Sequence, residues 1–335
     1  MKIIVDCFGG DNAPSEILKG SALAVKELDV DIVLTGDKEK IEKCARKNNI
    51  SLERMEIEDC PDVITMEDDA KSVLKAKSNS SMAVGFRLLN EGRGDAFVSA
   101  GNTGAIAVGA TLITKRIKGI IRPAIASVMP SVTTPFVLMD CGANAQCRSE
   151  MLCQFALLGS IYMEKIMGVK NPKVALANNG SESTKGTPLQ IETYEKLSEG
   201  NLNFVGNIEG RAIPFGDADV VVADGFSGNL ILKTYEGTAK ALMGSIKNIF
   251  TRNLRSKLAY LAIKDGIDDL KTQFDYKEYG GAVMLGVKKP VIKSHGSADA
   301  RTFKNAIRQA VLFLSHDLIS TIENQLKEEE NIEKS

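Results

Sequence analysis

"DVVVADGFSGNLILKTYEG", residues 219–237, decides the fold: a short β-branched run turns through Asp224, Gly225, Ser227, Gly228 and Asn229, and apolar residues then recur at helical spacing. A strand feeding a helix through a glycine-rich turn is the unit of a parallel sheet, because parallel neighbours need a crossover connection. The unit recurs along the chain. "KIIV" (2–5) leads into "DCFGGDNAPSEI" (6–17), "DAFVSA" (95–100) into "GNTGAIAVGATLI" (101–113), "PFVLMD" (135–140) into "CGANAQCRSEMLCQFALLGS" (141–160), and "KVALANN" (173–179) into "GSESTKGTPLQIETYEKL" (180–197). These units predict an α/β fold with a mostly parallel sheet and helices on both faces. They also place the strand-to-helix loops along one edge, where backbone N–H groups and helix dipoles converge on an anion. The loops match neither a Walker motif nor a strand followed by GxGxxG and a distant acidic residue, which argues against a nucleotide or dinucleotide site.

The chain has 335 residues, 44% of them hydrophobic, enough for one large domain or two joined lobes. Forty-two basic and 43 acidic side chains give a formal net charge of -1, which offers no global attraction to nucleic acid. Cys7, Cys44, Cys60, Cys141, Cys147 and Cys153 form no CxxC pair and have no neighbouring histidine, so free thiols and no metal are expected. The start "MKIIVDCFGG" lacks the regions of a signal peptide, and no apolar run reaches the roughly 20 residues of a membrane span. A cytoplasmic protein is the expectation.

Candidate polar groups fall in the loops. Gly9, Gly10 and Asp11 follow the first strand, Asn102 and Thr103 the second, and Asn144 the third. In the last loop Asp224 is read as orienting the turn, with Ser227, Gly228 and Asn229 facing ligand. Lys185, in "NNGSESTKG" (178–186), is either a solvated lysine or a cation aimed into the cleft to neutralise an anion or a developing oxyanion. His295, in "HGSADARTFKNAI" (295–307), follows the "PVIK" strand and suits either an anion contact with proton shuttling or a capping role. His316 is read as a packing or surface residue of a helix. No Ser-His-Asp or Cys-His pattern is evident, so direct attack by a bound nucleophile is favoured over a covalent acyl-enzyme.

Eight stretches lie in an order that carries a family likeness: "FGGDNAP" (8–14), "SAGNTGA" (99–105), "RPA" (122–124), "DCGAN" (140–144), "GNIEGR" (206–211), "DGFSGN" (224–229), "GGAVMLGV" (280–287) and "HGS" (295–297). Together they resemble the PlsX family of bacterial acyl-[acyl carrier protein]:phosphate acyltransferases over nearly the whole chain. The sequence departs from the family pattern at Cys7 and Phe8, at residues 178–181 and in "HGSADA", and retains Lys185 and Gly186. The resemblance implies a three-layer αβα sandwich similar to phosphate acetyltransferases and isopropylmalate dehydrogenases, assembled as a homodimer. It implies formation of acyl phosphate from a long-chain acyl carrier protein thioester and inorganic phosphate, without cofactor. Within that reading Lys185 stabilises the carbonyl oxygen, assisted by Asn229 or Asn144, and His295 binds phosphate or protonates the thiolate.

Residues 238–264 contain no acidic side chain and hold Lys240, Lys247, Arg252, Arg255, Lys257 and Lys264. Ile246, Phe250, Leu254, Leu258 and Leu261 repeat at helical spacing, with Arg252 and Arg255 off that stripe, which predicts an amphipathic helix. Such a helix packs on a dimer mate, receives the acidic carrier protein or presses on anionic lipid. The resemblance implies a helical protrusion over 238–275 at the dimer interface, peripheral contact with the inner face of the membrane, and delivery of product to the membrane glycerol-3-phosphate acyltransferase. The expected domain spans 1–326, followed by a charged tail over 327–335. A short-chain enzyme acting on acyl-CoA and a non-catalytic phosphate-ligand scaffold are the alternatives.

Overall fold

The computed structural model describes residues 1–274 and 276–332. The strands are β1 (Lys2–Asp6), β2 (Asp31–Gly36), β3 (Met55–Asp59), β4 (Ala96–Ser99), β5 (Ala124–Met129), β6 (Phe136–Met139), β7 (Val174–Asn178), β8 (Phe204–Glu209), β9 (Val220–Val222), β10 (Ala282–Leu285) and β11 (Val291–Lys293). The helices are α1 (Ser15–Leu28), α2 (Lys38–Lys47), α3 (Ser81–Asn90), α4 (Thr103–Gly109), α5 (Ser149–Lys165), α6 (Pro188–Glu199), α7 (Gly225–Thr251), α8 (Leu254–Gln273), α9 (Ala300–Ser315) and α10 (Leu318–Ile332).

All eleven strands join one sheet in the order β3-β2-β1-β4-β11-β10-β5-β6-β9-β7-β8. Alternation along each strand separates two cores. Ile3, Val5, Leu34 and Val137 pack under α1, α2, α5, α6, α9 and α10, whereas Ile4, Phe97, Leu138 and Val221 pack under α3, α4 and α7. This is the three-layer α/β sandwich expected from the repeated units.

The direction of the strands corrects one expectation. β3, β2, β1, β4 and β11 run parallel to one another, and so do β6, β9, β7 and β8. Between them β10 is antiparallel to β11 and β5, and β5 is antiparallel to β6. Three successive reversals leave the two parallel blocks pointing in opposite directions. The loops after β1, β4 and β11 therefore leave one edge of the sheet, and those after β6, β7 and β9 leave the other. They do not share one edge.

The basic segment also differs from a single continuous helix. α7 and α8 contact each other as a hairpin broken at Arg252 and Asn253, because the Asn253 side chain accepts the backbone N–H of Ser256 and starts a new helix. The predicted stripe is split: Phe250 lies in the last turn of α7 and faces Tyr260 of α8 at a ring separation of 5.7 Å, and Leu254, Leu258 and Leu261 belong to α8. Asp275, the expected end of this protrusion, lies outside the described residues. At the C-terminus α10 continues through Ile332, carrying the first part of the predicted charged tail in helix, and residues 333–335 lie outside the described residues.

Candidate active site

The reversed central strands form the floor of a cavity of about 240 Å³ that crosses the sheet between α4 and α7. β5 supplies Ile125, Ser127 and Met129, and the turn after β6 supplies Cys141 and Gly142. Thr103 enters from the first turn of α4, and Lys293 and His295 from the end of β11. Across from them Asn229, Lys233 and Glu236 lie on one side of α7, at i, i+4 and i+7. Thus the loops from both edges reach one cleft, because the antiparallel strands carry it from edge to edge.

Two buried aspartates hold the loops. Asp140 accepts the backbone N–H groups of Ile125 at 2.9 Å, Ala143 at 3.1 Å and Asn144 at 2.7 Å, and the Asn144 amide at 2.9 Å. Burial raises its carboxyl above the usual range although these bonds oppose the rise. Asn144 also donates to the Pro123 carbonyl at 2.8 Å, so it ties the third loop to β5 rather than facing ligand. In the other block Asp6 accepts from Ser99 Oγ at 2.7 Å and from the Phe8 N–H at 3.2 Å.

The opening stretch is read in detail by its cap. Asp224 accepts the N–H groups of Phe226 and Ser227 and the Ser227 hydroxyl, the last at 2.8 Å, so Asp224 orients the turn as expected and Ser227 is spent on it. Gly228 approaches the Asp140 carbonyl so closely that a Cβ there would lie 2.0 Å from the oxygen. Asn229 is the residue of this loop that lines the cavity.

Elsewhere the predicted residues divide similarly. Asn102 caps α4 through the Ala105 N–H, and its amide donates to the carbonyls of Thr65, Met66 and Asp68. Gly9, Gly10 and Asp11 support the neighbouring loops: the Asp11 N–H donates to the Gly296 carbonyl at 2.8 Å, and a Cβ on Gly9 would meet the Gly101 nitrogen at 2.7 Å. Lys185 stands exposed on the loop after β7, beside Gly180 and outside the cavity lining. His316 is the C-cap of α9 and is exposed.

Sequence reasoning missed Lys233, Glu236 and Lys293. The signal was available: Lys233 and Glu236 continue the face of Asn229 along the helix, and Lys293 ends the strand that delivers His295. Lys233 Nζ lies 2.7 Å from Glu236 Oε2, and His295 Nε2 lies 3.7 Å from the same oxygen. Burial alone would raise Glu236, but hydrogen bonds from His295 and Lys233 and their charges outweigh it and hold the carboxyl below its ordinary value. The backbone N–H of Ser297 donates to His295 Nδ1 at 3.2 Å, which makes Nδ1 an acceptor and puts the ring proton on Nε2, toward Glu236.

Lys293 Nζ donates to the Ser294 carbonyl at 3.1 Å. Burial, and then the neighbouring Lys233 charge, push its ammonium down to about 8, with Glu236 opposing. Two lysines against one carboxylate leave positive charge for an incoming oxyanion. Cys141 lines the same space, but burial followed by the Asp140 charge pushes its thiol far above the usual range, which makes it a poor nucleophile.

Known proteins resemble this chain in sequence and in fold. The family model for "Fatty acid synthesis protein" matches residues 1–321. A phosphate acyltransferase of Alkaliphilus oremlandii is 45% identical over 322 residues, 96% of each chain, and one of Clostridioides difficile is 43% identical over 96% of this chain and 95% of its own. Among solved structures, a phosphotransacetylase from Streptococcus pyogenes superposes with a TM-score of 0.62 at 18% identity, covering 95% of this chain and 94% of that one. A branched-chain phosphotransacylase from Enterococcus faecalis gives 0.58 at 16% identity, covering 94% and 100%. The structural likeness establishes the fold, and the family model and the relatives' sequences together establish that this chain belongs to the fatty acid synthesis protein family, the one its eight ordered motifs resemble.

Proposed function

We propose that this chain is a phosphate acyltransferase that forms acyl phosphate from inorganic phosphate and an acyl thioester of acyl carrier protein. The observation that carries the reading is the small polar cavity in which Lys233 and Lys293 face His295 and Glu236. Bound between the two ammonium groups, hydrogen phosphate is oriented and stripped of water before it attacks. One phosphate oxygen bonds to the thioester carbon, the carbon–sulfur bond breaks, and the proton of hydrogen phosphate ends on the departing thiol. Lys293, whose ammonium is already weakened, delivers a proton to the thiolate and regains one from hydrogen phosphate, while His295, held by Ser297 and Glu236, fixes the charged wall against which phosphate is oriented. Asn229 and Thr103 supply neutral donors to the carbonyl oxygen as it gains charge. These roles replace the one first given to Lys185, which stands outside the cavity of its own chain.

The α7–α8 hairpin supports the further reading of a homodimer that touches the inner face of the membrane, near the enzyme that consumes acyl phosphate. Leu254, Leu258 and Leu261 are 73%, 60% and 66% exposed, and Arg252 and Arg255 lie beside them in a stretch without acidic residues. No helix among the described residues is long and apolar enough to cross a membrane.

The decisive assay supplies acyl carrier protein thioester and the matching coenzyme A thioester in turn, each with and without phosphate. Acyl phosphate appearing only with phosphate, and preferentially from the carrier protein, is the expected result. Thioester loss independent of phosphate would defeat the reading, and preference for coenzyme A would move the chain to the short-chain class.

A further inference from the structure

Beyond Glu236 the same face of α7 borders a second space. Asn229, Lys233 and Glu236 on α7 are followed at the same helical spacing by Lys240, Met243, Lys247 and Phe250, so one face of a single helix leaves the polar cavity and enters a second space. That space is a groove of about 1010 Å³ between α7 and α8, lined by Met243, Ile246, Phe250, Tyr260 and Phe274 and reaching Ser297. Ser297 binds His295 Nδ1 through both its N–H and its hydroxyl, which places the mouth of the groove beside the cavity. From Glu236 to Phe250 the helix advances about 21 Å at 1.5 Å per residue.

We infer that this groove holds the acyl chain of the thioester, with the carbonyl in the cavity and the hydrocarbon running along α7 toward Phe250. The inference rests on the phosphate acyltransferase reading. It adds that α7 measures chain length: each methylene buried in the groove strengthens binding by about fourfold, so the site favours chains long enough to fill it. The amphipathic change along one helix face matches a substrate that is polar at its reacting end and apolar beyond it. A short acyl group stays within the cavity and leaves the groove unused.

Gly244 offers a clean test. It lines the groove, and a Cβ built on it meets nothing within 4 Å, so Gly244→Phe fills the groove without forcing the helix to move. Gly266 of α8 is equally open and lies outside the groove lining, so Gly266→Phe is the matched control. Both changes replace a helical glycine and are tolerated by the helix. Rates of acyl-phosphate formation are measured with butyryl and palmitoyl thioesters on the same carrier, alongside the mass of the protein in solution.

The expected result is a fall of at least tenfold in kcat/KM for palmitoyl in Gly244→Phe, with butyryl within about twofold and Gly266→Phe unchanged for both. An unchanged chain-length profile in folded Gly244→Phe overturns the inference. Equal losses for both donors accompanied by a change in mass also overturn it, and assign the groove to a second copy of the chain. If the parent protein makes acyl phosphate from neither donor, it is the underlying reading that fails.

Discussion

His295 Nε2 lies 3.7 Å from Glu236 Oε2, joining the end of β11 to the middle of α7 across the cavity. The ring proton points at the carboxylate because the Ser297 N–H occupies the other ring nitrogen. Replacing Glu236 with Gln keeps the shape but removes the charge that orients the ring and holds Lys233. We expect kcat for acyl-phosphate formation to fall by about tenfold to a hundredfold, with little change in thermal midpoint. Steady-state kinetics beside a melting curve checks this.

Lys293 gives the site a pH signature. Its ammonium is pushed down to about 8, so the charge that attracts phosphate is present below that pH and is lost above it. Affinity for phosphate is expected to decline as pH rises through about 8, and Lys293→Arg should move that decline upward, since a guanidinium keeps its charge. The effect on stability has the opposite sign. Between the folded value near 8 and the ordinary lysine value the unfolded chain binds more protons, so this residue's unfavourable contribution to stability in the protein without phosphate eases as pH rises through that window. Thermal shift with and without phosphate across this range separates the two effects.

Asp140 is a fastener for both strands of the cavity floor. Asp140→Ala leaves the N–H groups of Ile125, Ala143 and Asn144 without their acceptor, in a position where the carboxylate is fully buried. A loss of about 3 kcal/mol or more is expected by urea denaturation. Gly228→Ala attacks the same junction from α7, where the added methyl would collide with the Asp140 carbonyl, and should cost about 1–3 kcal/mol.

The tip of the hairpin can be tested separately from the cavity. Leu254→Glu with Leu258→Glu adds two negative charges to an exposed apolar stripe, and neither residue lines the groove or the cavity. Co-sedimentation with vesicles containing anionic lipid is expected to fall several-fold, while turnover of a soluble butyryl thioester stays within about twofold. Undiminished sedimentation of the folded variant would remove the membrane from the reading.

Sequence made the α/β class legible because the strand, glycine turn and helix recur with strong local patterning at β1, β4, β6, β7 and β9. It did not reveal that β10 and β5 reverse the sheet, since a four-residue buried strand has no direction that its own side chains encode. The same blindness explains the site. Turn residues such as Asn102, Asn144 and Ser227 looked like ligand donors because capping and ligand binding use the same side chains, and the structure commits all three to the backbone or to a neighbouring carboxylate. Lys233, Glu236 and Lys293 lie within regular elements, where charged residues are ordinarily solvated. Only the tertiary arrangement of α7 and β11 around the cavity brings them together.

The central strands impose an order of assembly. β4 and β5 follow one another in the chain, yet β11 and β10, made more than 150 residues later, sit between them in the sheet. As the chain emerges from the ribosome, its first strands and its middle strands therefore wait as separate halves. Their shared edge closes only when residues 282–293 arrive, and the same segment brings Lys293 into the cavity. Completion of the sheet and arming of the cavity are thus one event, and any chain cut short before it lacks both.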